Sequence, residues 1–213
     1  MRPPRRKSPL KRLPRRTSPP RTIPPLKTLN VAITGGIGAG KSEALRAFAR
    51  HGAATASADE IVHRLYADPD VRQALVERWG EGVLSSGEVD RTRVGEIVFA
   101  DRGELAWLES LLHPRVVDEQ ARWRAEQTAP LAVVEVPLLY ETGGEARFDA
   151  VVVITAPEET RRARTDVADV AERQGRLLSD EEKAGKADFV YVNDGSLEDL
   201  DAFVRGVVQR LAP

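Results

Sequence analysis

The sequence predicts an α/β protein: a doubly wound, parallel, five-stranded sheet with a helical insertion and a short lid. Three observations lead there. Short β-branched runs alternate with helix-forming stretches along residues 29–213, the order that a parallel sheet with helical crossovers requires. The octapeptide Gly35-Gly36-Ile37-Gly38-Ala39-Gly40-Lys41-Ser42 stands between the first such run and the first such stretch. Residues 69–128 then keep a helical period for far longer than a simple crossover needs.

The first strand is Leu29 to Thr34, largely apolar as a strand buried on both faces should be. The octapeptide that follows has the spacing G-x-x-x-x-G-K-[ST] of a phosphate-binding loop. A polyphosphate needs several backbone N–H groups converging on it. Glycines let the chain wrap closely enough to aim them, and a helix N-terminus adds its positive dipole end. Gly36, Ile37, Gly38, Ala39 and Gly40 are therefore the expected nucleotide cradle, Lys41 a point charge for the β- and γ-phosphates, and Ser42 a hydroxyl for Mg²⁺. The helix after it runs to Arg50, rich in Ala and Leu and closed by Gly52.

Ala53 to Ala58 reads as a weak second strand, with Asp59 at its end and a helix continuing through Tyr66. That carboxylate falls at the carboxyl edge of a parallel sheet, where such sheets bind their ligands, although Asp is also an ordinary helix N-cap. The apolar periodicity of 69–128 runs through Val71, Leu75, Val94, Val98, Leu108 and Leu112, with Gly80, Gly82 and Gly87 between segments. We expect a helical substrate-binding subdomain over about 60–128, interrupted at His113-Pro114 because a residue before proline avoids helical geometry.

Residues 131–136, 150–154 and 189–192 supply three further strands. Between the last two, 158–186 is polar and helix-forming and carries Arg161, Arg162, Arg164, Arg173 and Arg176, a candidate lid whose arginines could close over reacting phosphates.

Composition sets the outer bounds. With 41% hydrophobic residues, 213 residues suffice for one core or one core with an appended lid. Residues 1–28 hold ten Lys or Arg, no Asp or Glu, and eight of the fourteen prolines. Such a segment cannot bury enough apolar surface to fold alone, so it reads as a disordered basic tail. A tether to an acidic surface and a transit peptide are the functional alternatives, and the prolines work against the amphipathic helix of the latter. The remaining residues carry 22 basic against 33 acidic side chains, a balance of −11 that argues against a nucleic-acid-binding surface. Cysteine is absent, and no run approaches the roughly 18 apolar residues of a membrane span, so the expectation is a cytoplasmic protein, monomeric or weakly homo-oligomeric. Of six lysines only Lys41, Lys183 and Lys186 lie beyond the tail. A flexible ammonium suits phosphate better than a planar fork, which marks Lys183 and Lys186 as further candidates for the same site.

Together these residues resemble the dephospho-coenzyme A kinase family over residues 29–212, within the P-loop NTPase type of fold. The resemblance rests on Ile33 to Ser42, Ala58-Asp59, Leu112-His113-Pro114, Val136-Pro137-Leu138-Leu139-Tyr140-Glu141, Glu181-Glu182-Lys183, Ala187-Asp188 and Asn193-Asp194-Gly195, in family order. It implies ATP-dependent phosphorylation of the ribose 3′-hydroxyl of dephospho-coenzyme A, with Mg²⁺, and without nucleic acid or membrane. Asp59 matches the family's catalytic carboxylate. His113, Pro137, Leu138, Tyr140, Glu141 and Lys183 would bind the acceptor, Asn193 and Gly195 would border the adenine, and Arg164 would be the lid cation. The chain departs from the family in two places. Ser57 stands where the family usually has a second Asp, which implies weaker Mg²⁺ binding. The lid is shortened, with Arg173 the next matching arginine and Leu177 in place of a glutamine. Nucleoside and shikimate kinases share the loop and lid logic but not the motifs of residues 112–141. A signalling GTPase would need an Asn-Lys-x-Asp element that the chain lacks. A nucleotide-binding relative that has lost transfer is the third alternative.

Overall fold

A computed structural model of the chain describes residues 28–164 and 178–212. The tail, apart from Thr28, and the part of the candidate lid holding Arg173, Arg176 and Leu177 lie outside those residues.

Five strands make one parallel sheet: β1 (Leu29–Thr34), β2 (Ala54–Ser57), β5 (Leu131–Glu135), β6 (Ala150–Thr155) and β7 (Phe189–Val192), in spatial order β2-β5-β1-β6-β7. β1 is central because its residues can be buried on both faces, and Val31, Ala32 and Ile33 are fully enclosed. Alternate residues feed two cores. Val31, Ile33, Val133, Val152 and Ile154 face α1 (Lys41–Arg50) and the C-terminal helix, whose apolar stripe is Leu200, Val204 and Val207. Ala32, Val134, Val151 and Val153 face the opposite way, onto Leu139, Tyr140 and Trp123. This two-faced burial holds the carboxyl ends of β1, β2 and β5 side by side, and those ends carry the loop residues that matter below.

Between β2 and β5 lie α2 (Ala58–Leu65), α3 (Pro69–Trp79), α4 (Arg91–Ala100) and α5 (Arg102–Ala125), which bury Ile61, Leu65, Val71, Leu75, Val94, Val98, Leu108 and Leu112 in a core of their own. Asp68, Asp90 and Asp101 cap the last three of these helices by accepting backbone N–H bonds from the first turn.

Two expectations for this insertion need correction. A β-hairpin, β3 (Leu84–Ser85) with β4 (Glu88–Val89), interrupts the helices. Its turn puts Ser86 and Gly87 at φ 54° and 85°, the primed geometry that suits tight hairpins. Conversely, His113-Pro114 does not break the chain: α5 runs unbroken for 24 residues with Pro114 inside it. Packing of α5 against α2 and α4 outweighs the lost N–H. The Arg115 guanidinium also donates to the Leu111 carbonyl at 2.7 Å, an added side-chain tie within the turn that contains the proline.

After β6 come α6 (Glu158–Arg164), then, beyond the undescribed stretch, α7 (Asp180–Ala184) and finally α8 (Leu197–Leu211), the C-terminal helix already mentioned. Among the described residues no helix is long and apolar enough to cross a membrane.

Candidate active site

The site begins where β1 turns into α1. Gly35 has φ 145°, and a β-carbon there would be driven into the Ile154 carbonyl of the neighbouring strand. Gly40, the N-cap of α1, has φ 97°, a left-handed geometry that side-chain-bearing residues rarely adopt. Its missing side chain leaves room for Asn193, whose amide Nδ2 donates to the Ala39 carbonyl at 2.8 Å. Asn193 is 5% exposed, so this is a buried bond that fixes the loop's shape from the end of β7. Gly195 is exposed, two residues further on.

Lys41 and Ser42 occupy the first turn of α1. The Lys41 ammonium donates to the Gly36 carbonyl at 3.0 Å. Burial pushes its pKa down, Glu135 opposes that shift, and smaller contributions come from Lys183, Asp59 and Asp180. Ser42 Oγ donates to Glu135 Oε2 at 3.4 Å. Glu135 is 6% exposed, and in the sheet register it lies between Ile33 of β1 and Ser57 of β2. Burial raises its pKa, Lys41 acts against the rise, and Asp59 adds to it. Glu135 escaped notice in the sequence. The available signal was a carboxylate inside the apolar run Leu131-Ala132-Val133-Val134-Glu135-Val136, a position where an acid persists only beside a partner.

Asp59 sits in the first turn of α2, exposed, with its charge felt by both Lys41 and Glu135. From the other flank, Arg164 Nη1 lies 3.6 Å from where a Gly40 β-carbon would be. A cleft of about 830 Å³, within the range of ligand pockets, is lined by Gly36, Ile37, Pro157, Arg161, Lys183 and Val192.

The acceptor candidates fall into two groups. Pro137, Tyr140, Glu141 and Lys183 are tied together around the loop after β5. The Pro137 carbonyl accepts from Thr34 Oγ1 at 3.3 Å, Lys183 Nζ pairs with Glu141 Oε1 at 2.9 Å, and Lys186 Nζ lies 5.5 Å from the Tyr140 ring centroid. Lys183 is 1% exposed, so its ammonium is committed to Glu141. Leu138, in the same loop, is 40% exposed. His113 is exposed on α5, and among the described residues no hydrogen bond or ion pair ties it to the loop.

Among the described residues no group of three or more His, Cys, Asp or Glu could hold a metal ion. Mg²⁺ nevertheless fits in another way. It is usually held by one or two protein oxygens together with substrate phosphates and water, and a serine hydroxyl backed by a buried carboxylate beside a phosphate loop meets that requirement.

A glycine cradle at a helix N-terminus, a lysine at its mouth and a carboxylate on the next strand end are parts of a phosphoryl-transfer centre. A family model described as dephospho-CoA kinase matches residues 29–199. The chain belongs to the dephospho-CoA kinase family. The dephospho-CoA kinase of Protochlamydia amoebophila is 36% identical over 198 residues, covering 87% of this chain and 98% of that protein. That of Rhodopseudomonas palustris is 39% identical over 199 residues, covering 85% and 95%. A solved structure from Thermus thermophilus superposes with a TM-score of 0.75 at 31% identity, covering 87% of this chain and 99% of that one. The dephospho-CoA kinase of Campylobacter jejuni shares the fold at TM-score 0.62 and 23% identity, covering 87% and 98%. Kinases of this family use ATP, which accounts for a loop built around polyphosphate.

Proposed function

We propose that the protein transfers the γ-phosphoryl group of ATP to the ribose 3′-hydroxyl of dephospho-coenzyme A, giving coenzyme A and ADP. The observation that carries this reading is Asp59, a carboxylate in the first turn of α2 just past the carboxyl end of β2, whose charge acts on both Lys41 and Glu135. Asp59 orients the acceptor hydroxyl and takes its proton as the O–P bond forms. Lys41 exchanges the Gly36 carbonyl for phosphate oxygens, and Arg164 adds charge from the opposite side of Gly40. Ser42, held by Glu135, is the protein's oxygen for nucleotide-bound Mg²⁺, which when present neutralises charge on the phosphates. His113, Pro137, Leu138, Tyr140 and Glu141 form the acceptor side, with Lys183 holding Glu141 in place. Asn193 keeps the loop in shape, and Gly195 lies beside the adenine.

The test is ADP release from ATP with dephospho-coenzyme A as acceptor, beside nucleosides, shikimate and no acceptor. Turnover is expected with the first alone. Asp59→Asn should lower kcat by about 10²–10⁴ while leaving ATP affinity intact. Equal turnover with shikimate, or full activity in Asp59→Asn, would overturn the reading.

A further inference from the structure

The phosphate loop already has an anion resting on it, supplied by the protein itself. A β-carbon at Gly36 would lie 3.0 and 3.4 Å from the two carboxylate oxygens of Asp180, and 2.7 Å from Nη1 of Arg161. Both side chains therefore sit on the second glycine of the loop, the residue whose carbonyl also holds the Lys41 ammonium. Arg161, in α6, and Asp180, the first residue of α7, face each other across the cleft at 3.3 Å, with side chains 22% and 19% exposed.

This pair lacks the marks of a finished structural bridge. Its separation exceeds the roughly 2.7–2.9 Å of a good charge-assisted bond. The Arg161 Nε is buried with no hydrogen-bond partner among the described residues. A guanidinium has five N–H donors in a fixed fork, and a buried donor left unused is costly unless a ligand completes it. Asp180 also lies within the electrostatic reach of Lys41, so a carboxylate occupies ground shared by two cations. A terminal phosphate offers three acceptor oxygens and more charge than one carboxylate, and it suits the arginine fork better.

We propose that Arg161 binds the terminal phosphates of a nucleoside di- or triphosphate, and that Asp180 holds the phosphate position in the nucleotide-free protein until nucleotide displaces it. Asp180 is thus an internal competitor that lowers nucleotide affinity, and Arg161 is the cation both anions compete for. The inference rests on the glycine loop being the nucleotide site and is independent of which alcohol accepts the phosphoryl group.

The test is calorimetric titration of the full chain with AMP-PNP, ADP and AMP in the presence of Mg²⁺, with thermal melts to confirm folding. Asp180→Asn should tighten AMP-PNP and ADP by about tenfold, because the competing charge is gone. Arg161→Ala should weaken both by about tenfold, and Arg161→Lys should recover part of that loss. The double variant should bind no more tightly than Arg161→Ala, and AMP, lacking the terminal phosphates, should bind all variants alike. Should Asp180→Asn fail to fold, Asp180→Ser carries the same prediction, since serine also suits a first helical turn. Unchanged or weaker AMP-PNP binding on neutralising Asp180, or unchanged binding in Arg161→Ala, overturns the proposal. Those outcomes alongside normal turnover of dephospho-coenzyme A would remove this inference alone. Tight AMP-PNP binding with no transfer to that acceptor would remove the proposed function and leave Arg161 in place.

Discussion

Lys183→Met isolates the energy of the most deeply buried charge in the structure. The Lys183 ammonium, 1% exposed, pairs with Glu141 Oε1 at 2.9 Å, and the same oxygen accepts the Leu178 N–H at 3.0 Å. The other oxygen of Glu141 is buried without a hydrogen-bond partner among the described residues. At an effective dielectric of about 20, the attraction at this distance is about 6 kcal/mol, most of it offset by the cost of taking two ions out of water. Methionine preserves the packing of the lysine stem and removes only the cation. The carboxylate is then left in place with one N–H donor, a situation that costs about 3–5 kcal/mol. For a chain of this size that corresponds to a fall in Tm of roughly 6–20 °C. Urea unfolding followed by tryptophan fluorescence should be run on Lys183→Met, Glu141→Gln and the double variant. The double variant should recover at least half of the loss, because a neutral amide keeps the Leu178 contact without a stranded charge. A loss below about 1 kcal/mol in Lys183→Met, or a double variant as unstable as the single, refutes the reasoning.

Gly40→Ala should cost roughly 2–5 kcal/mol, from a left-handed backbone at a non-glycine residue and displacement of the Asn193 bond to Ala39, and should abolish detectable ATP binding by calorimetry. Asp199→Asn probes acid stability. The Ser196 backbone N–H, then its hydroxyl, hold the Asp199 pKa down, so its stabilisation is present above the unfolded value of about 4 and is lost as pH falls through the folded value. The stability gap between wild type and variant should therefore be full at pH 6 and close below about pH 4, and a gap independent of pH would contradict the assignment. Ser57→Asp places a second carboxylate beside Glu135 in the sheet register, so it should lower stability without metal and tighten apparent Mg²⁺ affinity in an ADP titration. An unaltered magnesium titration counts against it.

Residues 29–50 were legible because every signal in them is local: an apolar strand, glycines at fixed offsets, a helix-forming run. Four of the five strands were legible for the same reason, each being a short β-branched stretch between breakers, while Ala54–Ser57 gave only a weak signal. The hairpin at 84–89 was less so, since Gly82 and Gly87 announce a break without saying that Leu84 and Val89 pair across it. Pro114 misled because the preference of its neighbour is local, while the packing that keeps α5 intact comes from α2 and α4. Glu135 could not be placed from sequence alone, because its meaning depends on the register of β5 against both β1 and β2. The scarcity of lysine singled out Lys183, but its partner Glu141 lies 42 positions away and only the fold brings them together. Arg161 was one of five arginines in the candidate lid with nothing to set it apart, Asp180 carried no signal, and their meeting over Gly36 is purely a matter of three-dimensional placement.

The strand order β2-β5-β1-β6-β7 sets the glycine loop on the midline, with Asp59 and the Pro137–Glu141 loop on one flank and Arg161, Arg164 and Asn193 on the other. Each flank hangs from its own pair of strands, with Lys183 and Leu178 reaching across to Glu141 as the link between them. Mutation can therefore rework the β2–β5 side toward a different alcohol while the β6–β7 side goes on gripping the same donor. An architecture partitioned in this way lends itself to descent into many kinases, with one half inherited and the other reinvented.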